Sequence, residues 1–397
     1  MKQVKTVIYA QSGGPTSVIN ASLYGVIKQA KKKNIKLYLA KYGIQGLLNE
    51  EIFDADKLHE KDIDLLIQTP SSYLGSCRYK LKPHKEDASD YLKLKGIFEK
   101  YQIDAFLYNG GNDSMDTLNK ISQFQKESGQ ANVNLIGIPK TIDNDLAHSD
   151  HSPGFPSAAK FVIQAFASIA TDNDTYKKGR INIVEVMGRD SGFLTAATKL
   201  AKLVGHEPDL IYVPEVNFNV DKFVEDTKRI YAKKGRVNIA ISEGIHTING
   251  KLIYKQNASD NFNHAQLGGV GAYLASLFDT PTRSIELSLL QRSANFSLSK
   301  TDVKEAILVG KNALNLSLHT SDKTVCLTRL SSHPYKIKCK AFPTSEIANA
   351  IRKLPEEYIV NNNQISDSYI DYLLPLIQGE TKLILKDGLI EISSKIF

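Results

Sequence analysis

The stretch VKTVIYAQSGGPTSVINASL, residues 4–23, holds the fold in miniature. Its opening VKTVIYA is apolar and rich in β-branched residues, as a buried strand requires. Gly13 and Gly14 mark a tight turn, and SVINASLYGVIKQAKKK, residues 17–33, continues with apolar positions at helical spacing. Short strand-like runs recur as IKLYLA at 35–40, IDAFLYNGG at 103–111, NVNLIGIP at 132–139, INIVEVMG at 181–188, DLIYVPE at 209–215 and VNIAISEG at 237–244. Longer helical patterns such as SAAKFVIQAFASIATD, residues 157–172, lie between them. This alternation predicts an α/β protein with parallel-rich sheets flanked by helices. After about residue 320 the character changes: KTVCLTRL, YKIKCKAF and the final TKLILKDGLIEISSKIF read as strands, and TSEIANAIRKLPEEYI, 344–359, as a helix.

A chain of 397 residues with 42% hydrophobic content can bury a large core in two or three domains. No apolar stretch approaches a membrane span and no basic-flanked apolar leader opens the chain, so a cytoplasmic location is expected. Cys77, Cys326 and Cys339 are scattered without metal-ligand spacing and read as reduced, structural thiols. The net charge of +7 comes from lysines interleaved with acids. That pattern lacks the basic stripe of a nucleic-acid surface and suits a solvated face that steers an anionic substrate.

Ligands of open α/β sheets bind beyond the carboxyl ends of the strands, and the polar, Gly-marked residues gather there. Gly13 and Gly14 open a helix whose N–H groups suit a phosphate, although the P-loop Lys-Ser/Thr is missing. In YNGGNDSMDT, Asn112, Asp113 and Ser114 fit either a helix cap or a phosphate or Mg²⁺ site. In IPKTIDNDL, residues 138–146, Asp143, Asn144 and Asp145 fit an Asx turn with helix capping, while the carboxylates of Asp143 and Asp145 beside Lys140 equally fit a general base with a metal or phosphate partner. Arg189 and Glu243 occupy further strand ends, and Arg180, Arg283 and Arg292 offer the bidentate donors a phosphorylated substrate favours.

In this order and spacing, GGNDS, PKTIDND, MGRDSG, SEG and TR…LQR resemble the phosphofructokinase family, and RKLPEEYI and PLIQGE resemble its pyrophosphate-using branch. The resemblance implies two α/β lobes with the active site in the cleft between them. Residues 1–150 with about 290–330 would bind the phosphoryl donor. Residues 151–289 with about 331–397, including a C-terminal extension, would bind the sugar phosphate. It further implies phosphoryl transfer from pyrophosphate to the 1-hydroxyl of fructose 6-phosphate, with Mg²⁺ near Asn112 and Asp113.

Carried over by position, Asp143 resembles the general base, with Asp145 beside it. Thr141 and Arg189 would contact the transferring group. Gly13, Gly14, Arg78 and Ser114 would hold the donor phosphates. Met187, Gly188 and Glu243 would place the sugar, Arg283 and Arg292 would bind its 6-phosphate, and Arg180 would reach a neighbouring subunit's site, implying a homodimer or homotetramer. ATP-using members commonly carry glycine where this chain has Asp113 and Lys140, and that pair favours pyrophosphate over ATP. Two positions depart from the family pattern. Asn112 replaces an aspartate metal ligand, and Leu289 replaces a His or Tyr facing the sugar phosphate. They leave weaker fructose 6-phosphate binding, a shifted preference such as sedoheptulose 7-phosphate, and a catalytically weak regulatory homologue as alternatives, beside an ATP-dependent 6-phosphofructokinase that tolerates Lys140.

Overall fold

The computed structural model describes residues 3–129, 133–254 and 268–394. Asn132, which opens one strand-like run, and Lys395 to Phe397, which close the last one, lie outside the described residues. Strands β1 (Thr6–Gln11), β2 (Lys36–Ala40), β3 (Ile52–Asp54), β4 (Ala105–Gly110) and β5 (Asn134–Pro139) form the first lobe's sheet. The chain then builds a second sheet from β6 (Ile181–Val186), β7 (Leu210–Tyr212), β8 (Val237–Ser242) and β9 (Thr282–Glu286). It returns to the first sheet with β10 (Lys323–Ser332) and β11 (Tyr335–Pro343).

The resulting orders are β11-β10-β5-β4-β1-β2-β3 and β7-β8-β6-β9, with β3 and β11 as antiparallel edges of the first sheet. All pairings in the second sheet are parallel. The two-residue period of a strand serves both faces of the first sheet. Val7 and Tyr9 of β1 join one core with Leu107 and Ile138, while Ile8 and Ala10 join the other with Phe106 and Tyr108. In the second lobe Ile183, Ile239 and Ile241 pack on one face, and Val184, Ile211 and Ala240 on the other.

Two readings of the C-terminal third need correction. The hairpin β10–β11 extends the first sheet, with Lys323 and Thr324 beside Ile136 and Gly137 of β5, so residues 331–343 belong to the first lobe. The helix expected over 344–359 is absent, with only single 3₁₀ turns at Thr344–Glu346 and Glu356–Tyr358. Between them Ile351 bridges to Leu146 and the Arg352 N–H donates to the Asp145 carbonyl at 2.8 Å, a tertiary pairing that competes with helical hydrogen bonds. Farther on, Tyr369, Leu373 and Leu376 do pack into the second lobe's core with Phe155 and Phe193. Among the described residues no helix is long and apolar enough to cross a membrane.

The helices Ile19–Lys33 and Lys300–Ser317 cover one face of the first sheet and cross through glycines. A Cβ on Gly25 would lie 2.3 Å from the Ile307 carbonyl oxygen, and one on Gly310 2.1 Å from that of Ser22. Backbone cannot yield there as a flexible side chain would, so Gly25→Ala is expected to destabilise the protein by about 1–3 kcal/mol, seen as a lower urea midpoint. An unchanged midpoint would show that the crossing tolerates separation.

Candidate active site

Three strand ends of the first lobe meet at one point. The β4–β5 register sets Gly110 beside Pro139, and the Lys140 N–H donates to the Gly110 carbonyl at 3.1 Å. The Lys140 side chain is buried, and its Nζ donates to the Gly14 carbonyl at 2.6 Å. Gly13 needs its glycine, because its φ is +75° and a Cβ would stand 3.2 Å from that Nζ. The Gly13 N–H and carbonyl are bonded to the Cys77 carbonyl (3.2 Å) and the Ser76 hydroxyl (2.6 Å), which places exposed Arg78 at the rim. The helix Leu290–Ser293 packs on the helix Phe155–Asp174 of the second lobe, so the expected boundary at about 290 falls too early, and from there Arg292 reaches across with Nη1 3.2 Å from where a Gly14 Cβ would be. Burial, then the neighbouring Arg292, push the Lys140 ammonium down to about 8, against the pull of Asp145 and Asp143.

The carboxylates form the opposite half of the site. Burial first, then Asp145 and Glu243, push Asp143 up to about 8. Asp145 is raised by burial, opposed by hydrogen bonds from Thr141 and Asn112. Asn112 Nδ2 donates to Asp145 Oδ2 at 3.0 Å, while Asn112 Oδ1 and Asp145 Oδ1 are both buried and have no hydrogen-bond partner. Unsatisfied oxygens on two side chains that are bonded to each other suit a cation such as Mg²⁺. The sequence reading paired Asn112 with Asp113, but the orphaned oxygens belong to Asn112 and Asp145. Asp113 lies in the first turn of the helix Asn112–Ser128, and Ser114 turns its buried hydroxyl to that of Ser12 behind Gly110.

The second lobe supplies the facing wall. Glu243 follows β8, its N–H donates to the Val186 carbonyl at 3.0 Å, and its Oε1 accepts from the Gly188 N–H at 3.2 Å. Gly244 packs on Arg189 so closely that a Cβ would fall 1.9 Å from the Arg189 carbonyl oxygen, which aligns the two strand-end loops. The Met187 N–H donates to Gln291 Oε1 at 3.0 Å, tying this loop to the turn that carries Arg292. Burial raises the Glu243 carboxyl, with the Gly188 N–H and Arg189 opposing. Met187, Gly188, Arg189, Glu243 and Arg292 are thereby gathered opposite Asp143.

Arg180 and Arg283 are elsewhere. Arg283 pairs with Asn182 near the start of β6, whereas Met187 follows its end, a separation of roughly 17 Å at about 3.3 Å per residue. Arg283 therefore parts from Arg292 within one chain and shares with Arg180, Lys178 and Tyr176 an open cleft of about 370 Å³. Leu289 is 56% exposed just before the helix Leu290–Ser293.

Sequence reasoning missed how Asn144 works. It is buried with φ +59°, a region asparagine tolerates, and its Oδ1 accepts from the Ser152 N–H at 3.0 Å while Nδ2 donates to Tyr372 at 2.9 Å. The turn was legible in the DND triplet. Its partner more than two hundred residues away was not.

The family model of phosphofructokinases matches residues 6–316. The chain belongs to the phosphofructokinase family. This phosphofructokinase is 40% identical over 392 residues to the pyrophosphate–fructose 6-phosphate 1-phosphotransferase of Xanthomonas campestris pv. campestris, covering 95% of this chain and 92% of that one. It is 37% identical over 391 residues to the Rhodospirillum rubrum enzyme of the same name, covering 94% of each. The crystal structure of the pyrophosphate-dependent phosphofructokinase from Marinobacter aquaeolei superposes with a TM-score of 0.87 at 34% identity, over 98% of this chain and 96% of that one.

The clustered carboxylates make a prediction about charge. Glu243→Gln removes a negative neighbour of Asp143 and favours its ionised form, so the Asp143 midpoint should fall below its value of about 8. The pH dependence of its ¹³C carboxyl resonance measures this, and an unmoved midpoint would show that the two groups do not interact.

Proposed function

We propose that this phosphofructokinase transfers a phosphoryl group from pyrophosphate to the 1-hydroxyl of fructose 6-phosphate, reversibly, in the cytoplasm. The observation that carries the donor assignment is the buried Lys140 ammonium on the Gly14 carbonyl, within the loops that would cradle donor phosphates. Its bulk and charge occupy space a nucleotide's α-phosphate would need, while a terminal phosphate oxygen of pyrophosphate can take the bond now made to Gly14. Asp113 adds repulsion: a carboxylate 4 Å from an α-phosphate costs about 4 kcal/mol at an effective dielectric of 20, roughly three decades in affinity. The relatives' names agree with this choice.

In the forward direction Asp143 takes the proton of the sugar's 1-hydroxyl as that oxygen attacks the terminal phosphorus. The bridging P–O bond breaks and phosphate leaves. Thr141 hydrogen-bonds the transferring group, and Arg189 offsets its charge, the largest task in such a transfer. Met187, Gly188 and Glu243 position the sugar, with Arg292 on its 6-phosphate. Asn112 and Asp145 would hold Mg²⁺ through their unsatisfied oxygens. When bound, the ion would screen the donor's charge. Arg283, beside Asn182 and so about 17 Å along β6 from Met187, and Arg180, which lines the same cleft, would serve a neighbouring subunit's sugar phosphate, making the working unit at least a dimer.

The decisive assay measures fructose 1,6-bisphosphate formation with pyrophosphate and with ATP. Pyrophosphate alone should support efficient turnover, and equal turnover with ATP would overturn the donor assignment. A second prediction concerns the base. Because the Asp143 carboxyl is raised to about 8, its ionised form accumulates as pH rises through that value, so forward kcat/KM should climb there while the reverse reaction, which needs the proton, declines. Asp143→Ala should lower kcat by about two to four decades with modest change in KM. Near-parental kcat would remove Asp143 from this role.

A further inference from the structure

The loop bearing Asp143 and Asp145 is held by residues far beyond the segment the family model matches, which ends at residue 316. Three consecutive positions are gripped in turn. Asn144 donates to the Tyr372 hydroxyl at 2.9 Å, the Asp145 carbonyl accepts the Arg352 N–H at 2.8 Å, and Leu146 bridges to Ile351. Arg352 also sends Nη1 toward the Asn144 carbonyl at 3.5 Å and lays its guanidinium over the Phe193 ring, 4.4 Å from the centroid.

Tyr372 is held at both its hydroxyl and its ring. Its hydroxyl accepts from Asn144 and donates its own proton to the Asp150 carbonyl at 2.8 Å, so both roles are used. Its ring lies against Phe193, Tyr358 and Tyr369, and the Arg329 guanidinium sits 4.8 Å from its centroid. Arg329 is held in turn by both Asp150 carboxylate oxygens at 2.9 and 3.0 Å. Behind it, fully buried His151 bonds Glu305 at 2.7 Å, and the Tyr335 hydroxyl donates to the same carboxylate group at 2.6 Å. This assembly joins β10, β11, the helix Lys300–Ser317 and the C-terminal helix Ser368–Leu373 under one turn of three residues. Asn144 has φ +59°, so its side-chain bonds to Ser152 and Tyr372 hold the backbone in a sparsely populated conformation.

We propose that Tyr372, with Arg352, is a positioning residue for phosphoryl transfer, locking the Asn144 turn so that Asp143 faces the acceptor hydroxyl while Asp145 stays beside Asn112. The inference rests on the reading of Asp143 as base, and it makes the C-terminal segment part of the catalytic apparatus without contact to substrate.

The test compares Tyr372→Phe with Tyr335→Phe in the full-length protein. Tyr372→Phe keeps the ring packing and removes only the hydroxyl, so kcat should fall about ten- to a hundred-fold, as small misplacements of a reacting group do, with KM for both substrates within about two-fold. Tyr335→Phe removes a hydroxyl from the same assembly away from the turn, and should keep kcat near the parental value. Should Tyr372→Phe fail to fold, Asn144→Gly breaks the same bond from the other side at a φ glycine accepts, with the same kcat loss expected. Parental kcat in whichever of these is folded, or an equal loss in Tyr335→Phe, would overturn the proposal. The ratio of variant to parent reads the turn whichever donor supports turnover, so a failed donor assignment or an unaffected Asp143→Ala would register separately.

Discussion

One buried ammonium, Lys140, and two half-buried carboxylates, Asp143 and Asp145, lie within six residues of one another at the end of β5. Taking such groups out of water costs several kcal/mol for each charge unless opposite charge or hydrogen bonds replace the solvent. Much of the surrounding structure answers that cost. Gly14 and Asn112 from the first lobe, and Arg292 from the second, are placed by strand ends that converge only because parallel strands all present their carboxyl ends on one side.

The compensation is incomplete by design of the fold, and reactivity follows from the remainder. Desolvation lifts Asp143 and lowers Lys140, each opposed by the charge of the other. The charges are also shared across the cleft. Glu243 of the second lobe raises Asp143, and Arg292 lowers Lys140, so neither lobe alone sets the proton affinity of the site. Orphaned oxygens on Asn112 and Asp145 are the other visible remainder.

Geometry demands as much support as charge. The turn at Asn144 is held by Thr141 and Ser152 nearby in sequence and by Tyr372 far from it. Support comes from the C-terminal third, where the run 344–359 gives up the helix its spacing suggests in order to pair with the loop at Leu146 and Asp145. The same exchange explains the edge hairpin. Lys336, Lys338 and Lys340 alternate as exposed residues along β11, where charged side chains discourage pairing with another sheet.

The alternation of β-branched runs and helical stretches was legible in the chain because strand and helix periods are local properties of neighbouring residues. So were the strand-end loops, since Gly-marked turns and polar clusters carry their own conformational signature, and the motif order led from them to the family. Other features depend on residues distant in sequence. The separation of Arg283 from Arg292 is a matter of strand register, the placement of β11 a matter of which sheet had a free edge, and the grip of Tyr372 on Asn144 a contact across 228 positions. Hydrogen bonds and buried charges at such range are formed by the packed chain as a whole. The sequence by itself determined the fold class and the chemical groups present; the tertiary structure alone decided which of them share a site, because proton affinity and orientation depend on burial and on neighbours that only folding brings together.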